Sequence, residues 1–165
     1  MQVFLTGATG FIGSFLVPEL LNAGHHVVGL SRSDAGAEAL TRAGAEVFRG
    51  DVNDLDCLRT AAKAADGVIH AAFNHDFSNL KENSEDDRKV IETLGEVLAG
   101  SDRPLVITSG TGLARSKAGG PAVETEHLIA AITCHAMVGT DRRSGWLLDK
   151  GRDDARSWTI HSWRS

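Results

Sequence analysis

The 165-residue sequence predicts an α/β domain built on a doubly wound parallel sheet of strand order 3-2-1-4-5. Three observations carry that prediction. Five short apolar strands, at residues 2–6, 26–30, 46–49, 67–70 and 104–109, alternate with stretches of helical periodicity. The strands read as continuous runs of Val, Ile and Leu, as they do when a sheet is covered on both faces. Each connection carries a helix, and right-handed crossovers between parallel strands then set the order.

The first strand runs directly into Gly7-Ala8-Thr9-Gly10-Phe11-Ile12-Gly13. A strand that turns through three glycines into a helix aims backbone N–H groups and the positive end of the helix dipole at one spot, where a diphosphate can sit. Gly7 permits the tight exit from the strand, Gly10 lets a pyrophosphate approach the backbone, and Gly13 lets the helix lie close to the sheet. No Gly-Lys-Ser/Thr closes the run, which excludes an NTPase loop. The helix that follows is expected to bury Ile12, Phe15, Leu16 and Leu20, with Pro18 inside it.

Asn22-Ala23-Gly24 stops that helix, and the second strand ends at Ser31-Arg32-Ser33. A short helix is predicted over 35–43, and the third strand ends in Gly50-Asp51. Leu55, Leu58, Ala62 and Ala65 line one face of the third helix, with Asn53 or Asp54 as its cap. A longer helix is predicted over 83–99, with Val90, Ile91, Leu94, Val97 and Leu98 inward and acidic residues in its first turns. Beyond Gly112 a polar loop precedes a last predicted helix over 122–136. The predicted domain is 1–136, followed by an irregular tail over 137–165. All six phenylalanines lie at or before Phe77 and all three tryptophans lie in that tail, so the two parts differ in composition.

In such a sheet the ligand crevice lies above the C-terminal ends of the first and fourth strands. At the end of the second strand, Ser31 and Arg32 suit a 2′-phosphate and so NADP; alternatively Arg32 is solvated and Asp34 takes the ribose hydroxyls of NAD. Asp51 can meet an adenine amino group while Val52 packs on the ring, or Asp51 can cap the next helix. Ala71 and Ala72 are small enough to leave space for the middle of a cofactor. His70 reads as a packed strand-end histidine, and His75-Asp76 as a surface pair. Ser109 stands beside the crevice, where a hydroxyl can polarise a substrate carbonyl or simply cap the strand. It lacks the upstream glycine of a hydrolase nucleophile elbow.

Seventeen basic against twenty-two acidic residues give a net charge of −5, which argues against nucleic acid or an anionic membrane as partner. A small-molecule substrate is the expectation. Cys57 and Cys134 match no metal spacing and read as free thiols of a reducing compartment. With no predicted secretory signal or spanning segment, a cytoplasmic location is expected.

The glycine turn, Asp51-Val52, His70-Ala71-Ala72 and Thr108-Ser109, in that order over residues 1 to about 113, resemble the extended short-chain dehydrogenase/reductase family of the NAD-dependent epimerase/dehydratase type. The resemblance implies a Rossmann domain holding NAD(P), with hydride transfer at the nicotinamide. It places Gly7, Gly10, Phe11, Ile12 and Gly13 around the pyrophosphate, Arg32 at the ribose phosphate, Asp51 and Val52 at the adenine, Ala71 and Ala72 at the middle of the cofactor, and Ser109 at the substrate. It also implies a Tyr-x-x-x-Lys acid/base pair, in which the lysine lowers the phenol pKa. This sequence contains no tyrosine, and the corresponding stretch reads Cys134-His135-Ala136-Met137-Val138-Gly139-Thr140. Three accounts follow: the front half of such an enzyme, truncated or out of frame after about residue 127; a binding or redox-sensing domain without catalysis; or a reductase with a different acid. The first leaves the fifth strand as an unpaired edge, which invites homodimerisation.

Overall fold

The computed structural model describes residues 1–108. Its elements are β1 (Gln2–Thr6), α1 (Phe11–Asn22), β2 (His26–Ser31), α2 (Asp34–Ala43), β3 (Glu46–Arg49), α3 (Leu55–Ala64), β4 (Gly67–His70), a single 3-10 turn (Phe77–Asn79), α4 (Leu80–Leu98) and β5 (Leu105–Ile107). All pairings are parallel and the order is β3-β2-β1-β4-β5, as the alternation predicts. The chain direction across the sheet reverses between β1 and β4, which opens a crevice at their C-terminal ends.

Side chains alternate between two cores because successive strand residues face opposite sides. Phe4, Val28, Leu30 and Val68 face α3 and α4, where Leu58, Leu94 and Leu98 are fully buried. Val3, Leu5, Val27 and Ile69 face the other side, with Val17 and Leu20 of α1 and Leu40 of α2. Burial of such side chains stabilises by about 1.5–3 kcal/mol each. At the foot of the sheet, Arg103 donates to the carbonyls of Ala62 and Ala65 at the end of α3 and of Val97 near the end of α4. A cation there satisfies otherwise orphaned acceptors and opposes the negative helix ends.

The caps follow local chemistry. Ser33 Oγ accepts from the Gly36 amide at the start of α2, and Asp54, rather than Asn53, accepts from the Cys57 amide at the start of α3. Gly44 ends α2 in the left-handed region at φ +88°.

Three expectations are corrected. In α1 the buried residues are Gly13, Val17 and Leu20, with Leu16 partly buried, while Phe11, Ile12 and Phe15 are exposed by 83, 46 and 63%. The helix is apolar all round, so periodicity alone does not choose its inner face; the contact at Gly13 does. Second, α4 begins at Leu80, not 83, because Asp76 caps the 3-10 turn that leads into it, accepting from the Ser78 amide. Third, β5 spans three residues, although Pro104 and Thr108 extend its ladder by accepting from the Val68 amide and donating to the His70 carbonyl. Pro18 lies within an uninterrupted helix. The expected 122–136 helix and 137–165 tail lie outside the described residues. Among the described residues no helix is long and apolar enough to cross a membrane.

One polar chain crosses the apolar interior. His70 Nε2 donates to Asp87 Oδ1 at 2.9 Å, and its Nδ1 shares a 2.6 Å hydrogen bond with Thr6 Oγ1. All three residues are buried, and they join β1, β4 and α4 just beneath the crevice. The histidine is thus a packed strand-end residue with a specific partner on a helix seventeen positions on.

Removing one member of a buried pair strands the other. His70→Ala is expected to lower stability in urea unfolding by about 3–5 kcal/mol, and His70→Leu with Asp87→Leu to recover part of it, the rest being the Thr6 hydroxyl left without its partner. A loss for His70→Ala within the range of an exposed pair, under about 1 kcal/mol, contradicts the buried pairing.

Candidate functional site

The crevice between the ends of β1, β2, β3 and β4 has a volume of about 790 Å³, within the ordinary range for small-molecule sites. Its floor begins at the glycine turn. Gly7 adopts φ +67°, and a Cβ there would stand 2.6 Å from the Ala71 and Ala72 backbone; one at Gly13 would stand 2.2 Å from the Gly7 carbonyl oxygen. Both distances are too short for any side chain, so only glycine lets α1 start this close to β1 and β4. Gly13 therefore supports the crevice from behind, while Gly7, Gly10, Phe11 and Ile12 line it.

Gly10 is the N-cap of α1 in extended backbone, φ −78° and ψ 179°. With no side chain it makes no cap bond, and the first turn of α1 has no acidic residue. The other three α-helices among the described residues have a side-chain cap, an acid in the first turn, or both. The first amides of α1 and its dipole therefore face the crevice with no side-chain cap and no first-turn acid among the described residues. These residues fit a dinucleotide's diphosphate: backbone packed too closely at Gly7 and Gly13 to admit a Cβ, and helix-start amides with no side-chain cap among the described residues.

The second wall is the loop after β2. The Arg32 side chain is 79% exposed and reaches over the crevice mouth, with Nη1 3.7 Å from Asp51 Oδ2. An ion pair this exposed contributes little energy and leaves the guanidinium available. The Ser31 hydroxyl donates to the Ser33 carbonyl at 3.0 Å, so it shapes the loop while lining the crevice. Asp34 does not line the crevice; its carboxylate accepts from Arg49 at 2.8 Å.

The third wall follows β3. Asp51 Oδ1 accepts from the Asn53 amide at 2.9 Å within the turn before α3, so it does not cap that helix, which Asp54 does, while its other oxygen faces Arg32. Val52 lines the crevice and packs partly on the α3–α4 core. Ala71 and Ala72 follow β4, with the Ala71 amide donating to the Thr6 carbonyl. Ten of the eleven expected cofactor residues thus border one crevice, with Gly13 behind them. Ser109, with Cys134 and His135, lies outside the described residues.

The sequence reading missed the fourth wall, which α4 supplies through Asn83, Asp86, Asp87 and Val90. Asp87 falls in phase with the apolar stripe of Ile91 and Leu94, and a carboxylate inside such a stripe is a legible signal. The loop before α4 adds edge-on ring contacts of Phe73 with His75 and of His75 with Phe77, at 5.5 and 6.0 Å. Asp76 is held below the usual carboxylate range by hydrogen bonds from the side chains of Ser78 and Asn79 and from the Ser78 amide. Burial, with Asp54 nearby, raises the Cys57 thiol, which disfavours the reactive thiolate.

Comparison with known proteins agrees with this geometry. A family model described as NAD(P)H-binding matches residues 7–138. An uncharacterized protein of Schizosaccharomyces pombe is 51% identical over 116 residues, covering 70% of this chain and 39% of that protein. Another, of Saccharomyces cerevisiae, is 46% identical over 113 residues, covering 67% and 38%. The chain thus spans about two fifths of the length of these curated relatives. Among solved structures, the UDP-glucose 4-epimerase of Thermus thermophilus in complex with NAD matches with a TM-score of 0.60 at 28% identity, over 76% of this chain and 43% of that one. Matched by the family model over most of its length and carrying the glycine cradle at the sheet's switch point, the chain belongs to the NAD(P)H-binding family, among the extended short-chain dehydrogenase/reductases of the NAD-dependent epimerase/dehydratase type.

Proposed function

We propose that this chain is the coenzyme-binding part of a hydride-transfer enzyme, an oxidoreductase or epimerase acting on a small-molecule substrate, with NADP preferred over NAD. The observation that carries the reading is the start of α1, where Gly10 leaves the first amides without a side-chain cap and Gly7 and Gly13 hold them at the crevice floor. Phe11 and Ile12 flank the diphosphate, Asp51 and Val52 take the adenine, and Ala71 and Ala72 clear the middle of the coenzyme. Bound there, the coenzyme supplies the hydride chemistry.

The preference for NADP rests on Arg32. It is the exposed cation at the end of β2, beside the crevice, while the neighbouring Asp34 is engaged by Arg49. A guanidinium gives a 2′-phosphate two parallel charge-assisted bonds, whereas ribose hydroxyls call for a carboxylate. Substrate activation falls to Ser109 on the family's pattern, with its hydroxyl orienting the reacting carbonyl or alcohol. The sequence has no tyrosine, so these 165 residues do not hold the family's phenolic acid. Coenzyme binding is the role assigned to the chain, and hydride transfer to the whole protein.

Two substitutions test the reading. Gly10→Asp supplies the missing cap but sets a Cβ 3.2 Å from the Gly7 carbonyl oxygen, so thermal stability is expected to stay within about 1 kcal/mol of the parent while NADPH binding is lost. Retained binding contradicts the diphosphate assignment. Arg32→Ala is expected to weaken NADPH about 10- to 100-fold in a fluorescence titration, the worth of one charge-assisted contact, with little change for NADH. Equal losses for both nucleotides contradict the NADP assignment.

A further inference from the structure

The loop that carries Arg32 is held from its outer side by a second arginine. Arg49 ends β3 as the register partner of Ser31, which ends β2. Its Nη1 donates to the Ser33 carbonyl, and its Nη2 donates to Asp34 Oδ1 at 2.8 Å and reaches the Arg32 carbonyl at 3.4 Å. One guanidinium therefore binds two carbonyls and a carboxylate within three consecutive residues. That is more than an exposed ion pair, because the planar fork fixes the backbone of the loop as well as the charge.

The consequence is a division of the loop into two faces. Arg32 reaches the crevice, and Asp34, 94% exposed, is held on the outside. Asp34, the first residue of α2, is the first acidic residue after β2, so it is the carboxylate that turns toward a ribose 2′-hydroxyl if the junction of loop and helix relaxes. A carboxylate there would also repel a 2′-phosphate. We propose that Arg49 is a positioning residue for coenzyme choice: it does not touch the nucleotide but favours NADP by keeping Asp34 out of the ribose pocket. The inference rests on the assignment of Arg32 to the 2′-phosphate.

The experiment is titration of the full chain with NADPH and NADH, with folding verified by circular dichroism. Arg49→Ala is expected to weaken NADPH at least about tenfold and to tighten NADH, because Asp34 becomes free to accept from the ribose. Loss of a positive charge alone weakens both nucleotides, so tighter NADH binding is the diagnostic change. Adding Asp34→Asn to Arg49→Ala is expected to abolish that gain.

Asp34→Asn alone covers the case in which Arg49→Ala does not fold. With Asp34 sequestered, it is expected to leave NADH binding unchanged, and weaker NADH binding overturns the inference. Parallel losses for both nucleotides in Arg49→Ala, or an unchanged preference, also overturn it. A wild-type chain without preference for NADPH overturns the Arg32 assignment and this inference with it. A wild-type preference that survives Arg49→Ala overturns the role of Arg49 alone.

Discussion

The close approach of α1 to the ends of β1 and β4 governs the rest of the molecule. At Gly7 and Gly13 the gap is so narrow that a single methyl group would overlap backbone atoms of Ala71, Ala72 or Gly7 itself. Dense packing of this kind turns backbone into the lining of a site, because no side chain stands between the amides and whatever enters the crevice. The same contact sets the rotation of α1. With Gly13 inward, Val17 and Leu20 follow on the buried face, and Phe11 and Phe15 are turned outward as an edge-on pair 5.4 Å apart.

Around that floor the chain distributes charge by position rather than by quantity. The net charge is negative, yet the crevice pairs the positive end of α1 with Arg32 on one side and keeps nearby carboxylates engaged. Asp51 caps its own turn and faces Arg32, Asp34 is held by Arg49, and Asp87 accepts from His70. These three anions each have a partner, so the uncapped amides of α1 and the Arg32 guanidinium set the character of the opening. The His70–Asp87 pair adds rigidity where β4 meets α4, the junction from which the Ala71-Ala72 wall projects.

Features set by neighbours in sequence were readable from the sequence. The glycine turn, the helix stop at Gly24 and a cap at Asn53 or Asp54, of which the structure uses Asp54, each follow from a few adjacent residues, and the strand order follows from the strand–helix alternation with right-handed crossovers. The inner face of α1 was not readable, because Ile12, Phe15, Leu16 and Val17 offer apolar side chains in every direction and the choice falls to a backbone contact at Gly13. Long-range polar pairs were hidden for a similar reason. Arg49 meets Asp34 and Ser33 only once β3 has docked on β2, and His70 meets Asp87 only once α4 covers β4. Ser109 stays an expectation from the family's pattern, since it lies outside the described residues.

The account stands on amides of one helix serving a doubly anionic group. Nitrogen-15 NMR of the labelled chain during addition of NADPH reads those amides individually. The account predicts the largest saturable shifts at the Phe11, Ile12 and Gly13 amides, downfield as a hydrogen bond to phosphate forms. Binding that leaves those three signals in place while others move would contradict it.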